Sequence, residues 1–258
     1  MSEVAAISKS RAAQRVRRIL HHVIAAYRDT GASGVLRYLT RAIAWPFANL
    51  LRFGQEYITD HGLGINTRTS LTFPKGNGGE QHPYQPVTKS HFNTAMRLLP
   101  IESNEFTFID LGCGKGTALF LAAKRGFVWV TGVEIVEELL DQARKNCLHF
   151  LDKNSLLGDR INLILGDAAD YDFPPGPKLL FLFNPFGEDT LRKVLSHFIF
   201  SVQMDTAPSY LLYGNPIFHN VVLSYPHVDE IGRSSYTTAY RVQGRPPTSS
   251  QSRMEERG

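Results

Sequence analysis

The chain has 258 residues, 43% hydrophobic and 20% charged, enough for one substantial α/β domain plus an extension and unlike a disordered chain. No run of 18 apolar residues occurs, which excludes a spanning helix, and Arg11, Arg15, Arg17 and Arg18 break any secretory core. Residues 1–60 hold nine basic against four acidic side chains and the remainder 19 against 20, so the bulk of the chain carries no electrostatic footprint for nucleic acid.

Residues 10–28 and 34–53 place apolar side chains at helical spacing between arginines, with Gly31 to Gly34 separating the two stretches and Pro46 breaking the second. Three readings fit this basic helical extension, residues 1–60. It packs on the domain, it lies on a membrane surface through Leu36, Leu39, Ile43, Trp45 and Phe47, or it is a mitochondrial targeting sequence. Glu3 and the length through Trp45 stand against the last. From Thr59 to Pro86 periodicity is lost among glycines and prolines, which predicts a long irregular segment. Loops of that length are functional or disordered. Residues 61–100 are therefore expected to form a lid or substrate segment ending in a helix over His91–Leu99.

A strand–helix alternation follows. Strands are expected at Phe106–Leu111, Phe127–Glu134, Ile161–Leu165, Leu179–Phe183 and Tyr210–Tyr213. Helices are expected at Lys115–Arg125, Val136–Phe150, Asp189–Ser201 and near Phe218–Leu223. Nearly all-apolar strands between helices mean a parallel sheet covered on both faces. Two closely spaced, more polar strands near 227–231 and 236–242 read as an antiparallel addition at the edge. Phe120, Phe127 and Trp129 are assigned to the core, and residues 244–258 to a disordered tail. Two cysteines, Cys113 and Cys147, make no disulfide framework and read as reduced packing residues, which suits a cytoplasmic setting.

The strongest signal is the strand–turn–helix of residues 106–123, with Gly112, Gly114 and Gly116 in the turn. A P-loop is excluded because Gly116 follows Gly114-Lys115 where Ser or Thr is required. A dinucleotide fingerprint lacks its third glycine, since Thr117 holds that position. Asp110, directly before the turn, would repel a pyrophosphate. It would instead suit a nucleoside bearing an ammonium and a sulfonium. Glu134 ends the second strand 24 residues after Asp110, near the spacing of roughly 20 at which an acid takes ribose hydroxyls. Asp167 follows the third strand, where it can accept from an adenine amino group beside the Ala168 backbone. Each acid could alternatively be a solvated strand end, and the glycine turn could serve another ligand.

Asp110-Leu111-Gly112-Cys113-Gly114-Lys115-Gly116, Glu134 and Asp167-Ala168 resemble the glycine loop, ribose acid and adenine acid of class I S-adenosylmethionine-dependent methyltransferases. The resemblance spans residues 88–242. It implies a Rossmann-like, seven-stranded, mostly parallel sheet with helices on both faces and an antiparallel terminal strand, in a methyltransferase domain over residues 101–243. It also implies S-adenosyl-L-methionine as cofactor, bound by those residues and by Asn184, and no metal.

Phe183-Asn184-Pro185-Phe186-Gly187 follows the fourth strand and resembles the Asn/Asp-Pro-Pro-aromatic segment of amine methyltransferases, with the second proline missing. The Asn184 amide oxygen and the Pro185 carbonyl can accept the hydrogens of a neutral amine, and Phe186 can meet a cationic product by cation–π attraction. A plain strand-ending turn is the competing explanation. Upstream, Tyr84 sits in Gln81-His82-Pro83-Tyr84-Gln85-Pro86, a pattern similar to small bacterial class I enzymes and, more distantly, to non-SET histone lysine methyltransferases. By that resemblance Tyr84 would touch the methionine end or the acceptor. His82, a potential base, and Asn215-Pro216 are read as solvated and as a turn. The expected activity is N-methylation of a small molecule, lipid or side chain. Its rivals are O- or C-methylation, or a catalytically silent cofactor-binding subunit tethered by residues 1–60 to a partner or membrane. Oligomeric state is not legible.

Overall fold

Side chains alternate across each central strand, and the alternation decides which layer each strand residue joins. In β1 (Thr107–Leu111), Phe108 packs into one apolar cluster while Ile109 and Leu111 pack into another. β4 (Lys178–Phe183) repeats this, with Leu179 and Phe181 on the first side and Leu180 and Leu182 on the second. A sheet apolar on both faces must be covered on both. The computed structural model describes residues 57, 59–67, 86–183, 186–207 and 209–244, all within one compact unit, Gln55–Gly258.

The remaining strands are β2 (Trp129–Glu134), β3 (Ile161–Leu165), β5 (Ser209–Gly214), β6 (Val228–Arg233) and β7 (Thr237–Val242). Their order across the sheet is β3-β2-β1-β4-β5-β7-β6. The first five are parallel; β7 runs antiparallel between β5 and the edge strand β6. This is the expected seven-stranded Rossmann-like sheet. One face is covered by α1 (Lys89–Met96), α2 (Thr117–Arg125) and α3 (Glu137–Lys153), the other by α4 (Glu188–Gln203) and α5 (His219–Leu223). On the first face Phe108 meets Phe92 at 5.9 Å and Phe127 at 5.2 Å between ring centres, inside the range of favourable aromatic pairs.

Local signals set the boundaries. Thr88 caps α1, its hydroxyl accepting from the His91 amide at 3.2 Å, so this helix starts before the predicted His91. α2 begins only at Thr117, because Gly116 in a left-handed conformation still belongs to the turn.

Two expectations change. Trp129 is not a core residue; it is 53% exposed, because it and its register partner Thr107 open their strands at the rim of the sheet. Phe120 and Phe127 are buried. Residues 59–63, expected to be irregular, are helical. On α3 the buried stripe runs through Leu139, Leu140, Ala143, Asn146 and Phe150, so the deep polar position is Asn146, while Cys147 is half-buried. Most of the basic extension, His82, Tyr84, Asn184, Pro185 and residues 245–258 lie outside the described residues.

Candidate active site

Parallel strands of one sheet end at one edge, and ligands bind where their carboxyl ends meet. Asp110 and Glu134 stand at the carboxyl ends of adjacent β1 and β2, and Asp167 lies two residues beyond β3, the next strand along. The exits of β2 and β3 are tied by the Gly166 amide donating to the Glu134 carbonyl at 3.0 Å. The sheet therefore gathers the three predicted acids at one rim. Ala168 follows Asp167 and is partly buried against the second cluster.

The turn between β1 and α2 is strained for any residue but glycine, with φ of 83° at Gly112, 54° at Gly114 and 87° at Gly116. It is seated on β2 by the amides of Gly112 and Cys113, which donate to the Val133 carbonyl at 2.8 and 3.0 Å. Gly132, beneath it in β2, leaves the room the turn occupies. A Cβ there would lie 2.4 Å from Leu119 Cδ1 and 2.8 Å from Cys113 Sγ.

Glu134 is buried rather than solvated. Its Oε2 accepts from the Gly114 amide at 2.8 Å, and Oε1 accepts from the amides of Ile135 and Val136, each at 3.0 Å. It thus fastens the glycine turn to β2, a role that sequence reasoning did not see. Asp110 is 5% exposed. Burial, reinforced by the neighbouring Glu134 charge, pushes its carboxyl up to about 8. Burial pushes Glu134 up as well, against three amide hydrogen bonds that pull it down. The Cys113 thiol is raised well above its ordinary value by burial, then by both carboxylates, so it stays protonated. Asp167 differs: it is exposed, and its Oδ1 caps the short helical turn after β3 by accepting from the Ala169 amide at 2.9 Å.

The donor set suits a cationic nucleoside. Two buried carboxylates side by side favour a positive ligand, and no ion pair among the described residues reaches either of them. The Thr117 hydroxyl, buried directly after the turn, has no hydrogen-bond partner among the described residues, a condition ligands commonly relieve. Lys115 Nζ donates to the Thr67 carbonyl at 2.9 Å, unlike a P-loop lysine, which reaches phosphate. Phe186 is described and packs, partly buried, against the cluster under α4; Asn184 and Pro185 before it are outside the described residues. Among the described residues no group of three or more His, Cys, Asp or Glu could hold a metal, and no helix is long and apolar enough to cross a membrane.

The family model for a methyltransferase domain matches residues 108–198, from β1 through most of α4. Over that stretch the chain is similar to a methyltransferase domain. The matched stretch contains the glycine turn, Asp110, Glu134 and Asp167. No curated protein matches the chain. Solved structures similar to it include a mitomycin 7-O-methyltransferase, at 13% identity and TM-score 0.44, covering 60% of this chain and 55% of that one. A Salinibacter ruber RNA methyltransferase in complex with S-adenosyl-L-homocysteine is 18% identical, with TM-score 0.43, and covers 64% of this chain and 95% of that one. A Bacillus cereus O-methyltransferase, also with S-adenosylhomocysteine, is 17% identical, with TM-score 0.46, and covers 62% and 84%. The chain spans about half the length of the mitomycin enzyme.

Sequence reasoning missed a second polar cluster behind the turn, made by Asp60, Asn66, Thr67 and Asn146 with the Lys115 side chain. The legible signal was Asn146, an amide interrupting the apolar stripe of α3.

Proposed function

We propose that this enzyme methylates an amine on a small molecule, lipid or side chain, holding S-adenosylmethionine with Asp110, Glu134 and Asp167 around the glycine turn. The observation that carries the cofactor assignment is the buried pair of neighbouring carboxyl groups, Asp110 and Glu134, beside a turn of three positive-φ glycines. Asp110 faces the positive methionine end. Glu134 keeps the turn in place through Gly114 and offers its remaining lone pairs to ribose hydroxyls. Asp167 has Oδ1 engaged by Ala169 and Oδ2 available for the adenine amino group, with the Ala168 backbone reading the ring edge.

Bound cofactor supplies an electrophilic methyl group on a sulfonium. Transfer to a neutral amine then asks the protein mainly for alignment. The segment after β4 supports an amine acceptor by its chemistry. The Asn184 amide oxygen and the Pro185 carbonyl are acceptors for amine N–H groups, and Phe186 provides an aromatic wall. Tyr84 is assigned by resemblance to the methionine end or the acceptor.

Incubation with methyl-labelled cofactor and a panel of amines, alcohols and carbon acids tests the acceptor class. Label should appear on nitrogen, and Asn184→Ala should lower turnover far more than cofactor affinity. Label confined to oxygen or carbon products overturns the amine assignment, and an Asn184→Ala variant with full turnover removes that residue's role.

A further inference from the structure

Lys115 stands in the middle of the glycine turn, yet its ammonium is fully buried and donates to the Thr67 carbonyl at 2.9 Å. Its own carbonyl accepts from Asn146 Nδ2 at 3.0 Å. The same amide group pairs with Asn66, Nδ2 donating to the Asn66 carbonyl at 3.2 Å and Oδ1 accepting from the Asn66 amide at 3.0 Å. Asp60 closes the cluster from the segment's side, accepting from the Thr67 amide at 3.0 Å and the Thr67 hydroxyl at 2.8 Å. Burial lowers the Lys115 pKa and the nearby Asp60 charge raises it. Residues 59–67 are thus joined to the cofactor turn by a buried polar cluster spanning 48 to 80 positions in sequence.

A buried charge is a poor way to add stability, because apolar packing of equal volume does as well or better. What such a cluster provides is one geometry. The turn is held from two sides, by Glu134 through the Gly114 amide and by Thr67 through Lys115 Nζ. Movement of the turn on one side is therefore felt on the other.

We propose that Lys115 is a positioning residue which couples residues 59–67 to the cofactor turn, so that filling the site orders this segment and order in the segment tightens the cofactor. The coupling is reciprocal, as any linkage between two binding states must be. It rests on the reading that the glycine turn holds S-adenosylmethionine.

Hydrogen exchange on the full chain, with and without saturating S-adenosylhomocysteine, tests it. In the wild type the amides of residues 112–116 and of residues 59–67 should both gain protection on binding. In Lys115→Met the first group should still respond and the second should not, with affinity reduced about tenfold. Thr67→Val, which removes the hydroxyl bond to Asp60 and leaves Lys115 in place, should show the same uncoupling more weakly and guards against a Lys115→Met variant that fails to fold. The proposal is overturned if residues 59–67 ignore the ligand in the wild type while 112–116 respond, or if both variants keep the coupled response. Failure of 112–116 to respond in the wild type overturns the cofactor assignment itself, and the coupling with it.

Discussion

The two edges of the parallel strands treat buried charge in opposite ways. At the amino edge Lys178 opens β4 with its side chain fully buried, and its Nζ meets Asp205 at 3.0 Å. Asp205 Oδ2 also accepts from the Gly176 amide at 3.0 Å, and the Lys178 amide donates to Ser209 Oγ at 3.2 Å. The buried Lys178 charge has its opposite beside it. At the carboxyl edge Asp110 and Glu134 lie buried as neighbouring carboxyl groups with no opposite charge beside them among the described residues, and Asp110 keeps its proton up to about pH 8. A protein selected only for stability would not place them together. The first edge pairs its buried charge, while the second keeps an acid in its neutral form that a cationic ligand would ionise.

Substitutions at the two edges should therefore fail differently. The largest effect is expected from Asp205→Ala, which leaves the buried Lys178 ammonium without its counter-charge and should cost roughly 3–5 kcal/mol in urea unfolding. Its affinity for S-adenosylhomocysteine should be unchanged while the protein is folded. Asp110→Asn should do the reverse, with unliganded stability preserved or raised and affinity lowered roughly 10- to 100-fold, as for loss of a charged hydrogen-bonding partner. Gly132→Ala sits between these, since its Cβ meets Leu119 and Cys113 beneath the turn. An overpacking cost of about 1–3 kcal/mol should appear as a lower urea midpoint. Trp129→Ala at the amino rim should change stability by no more than about 0.5 kcal/mol, because the side chain is already largely in water.

The comparison sharpens with pH. The Asp110 carboxyl is raised from 3.8 to about 8 in the folded protein. The folded state then holds this proton more tightly than the unfolded chain. The corresponding stability is full below about pH 4 and is lost as pH rises through 8. Unfolding midpoints of the unliganded protein should record that decline, and Asp110→Asn should flatten it. Binding a cation favours the ionised carboxylate, so cofactor binding below pH 8 should release a proton. Titration calorimetry in buffers of different ionisation enthalpy measures it.

Much of the fold was legible because short, nearly all-apolar runs separated by helical stripes leave few alternatives for the central strands and helices. β1 to β5 fall within a few residues of their expected places. Trp129 misled because aromatic character in a strand indicates the sheet and says nothing about depth along it. Residues 59–63 were hidden by glycines that a short, tertiary-supported helix tolerates. The acids of the site were legible through their positions at strand ends, but their states were not. That Glu134 fastens Gly114, or that Lys115 turns back to Thr67, depends on contacts between segments far apart in sequence, for which no periodicity exists.

The most direct test is a calorimetric titration of S-adenosylhomocysteine into the wild type, Asp110→Asn and Glu134→Gln, with the unfolding midpoint of each unliganded protein measured alongside. Both variants should remain folded and bind at least about tenfold more weakly. Wild-type affinity in both folded variants would contradict the carboxylate-lined cofactor site.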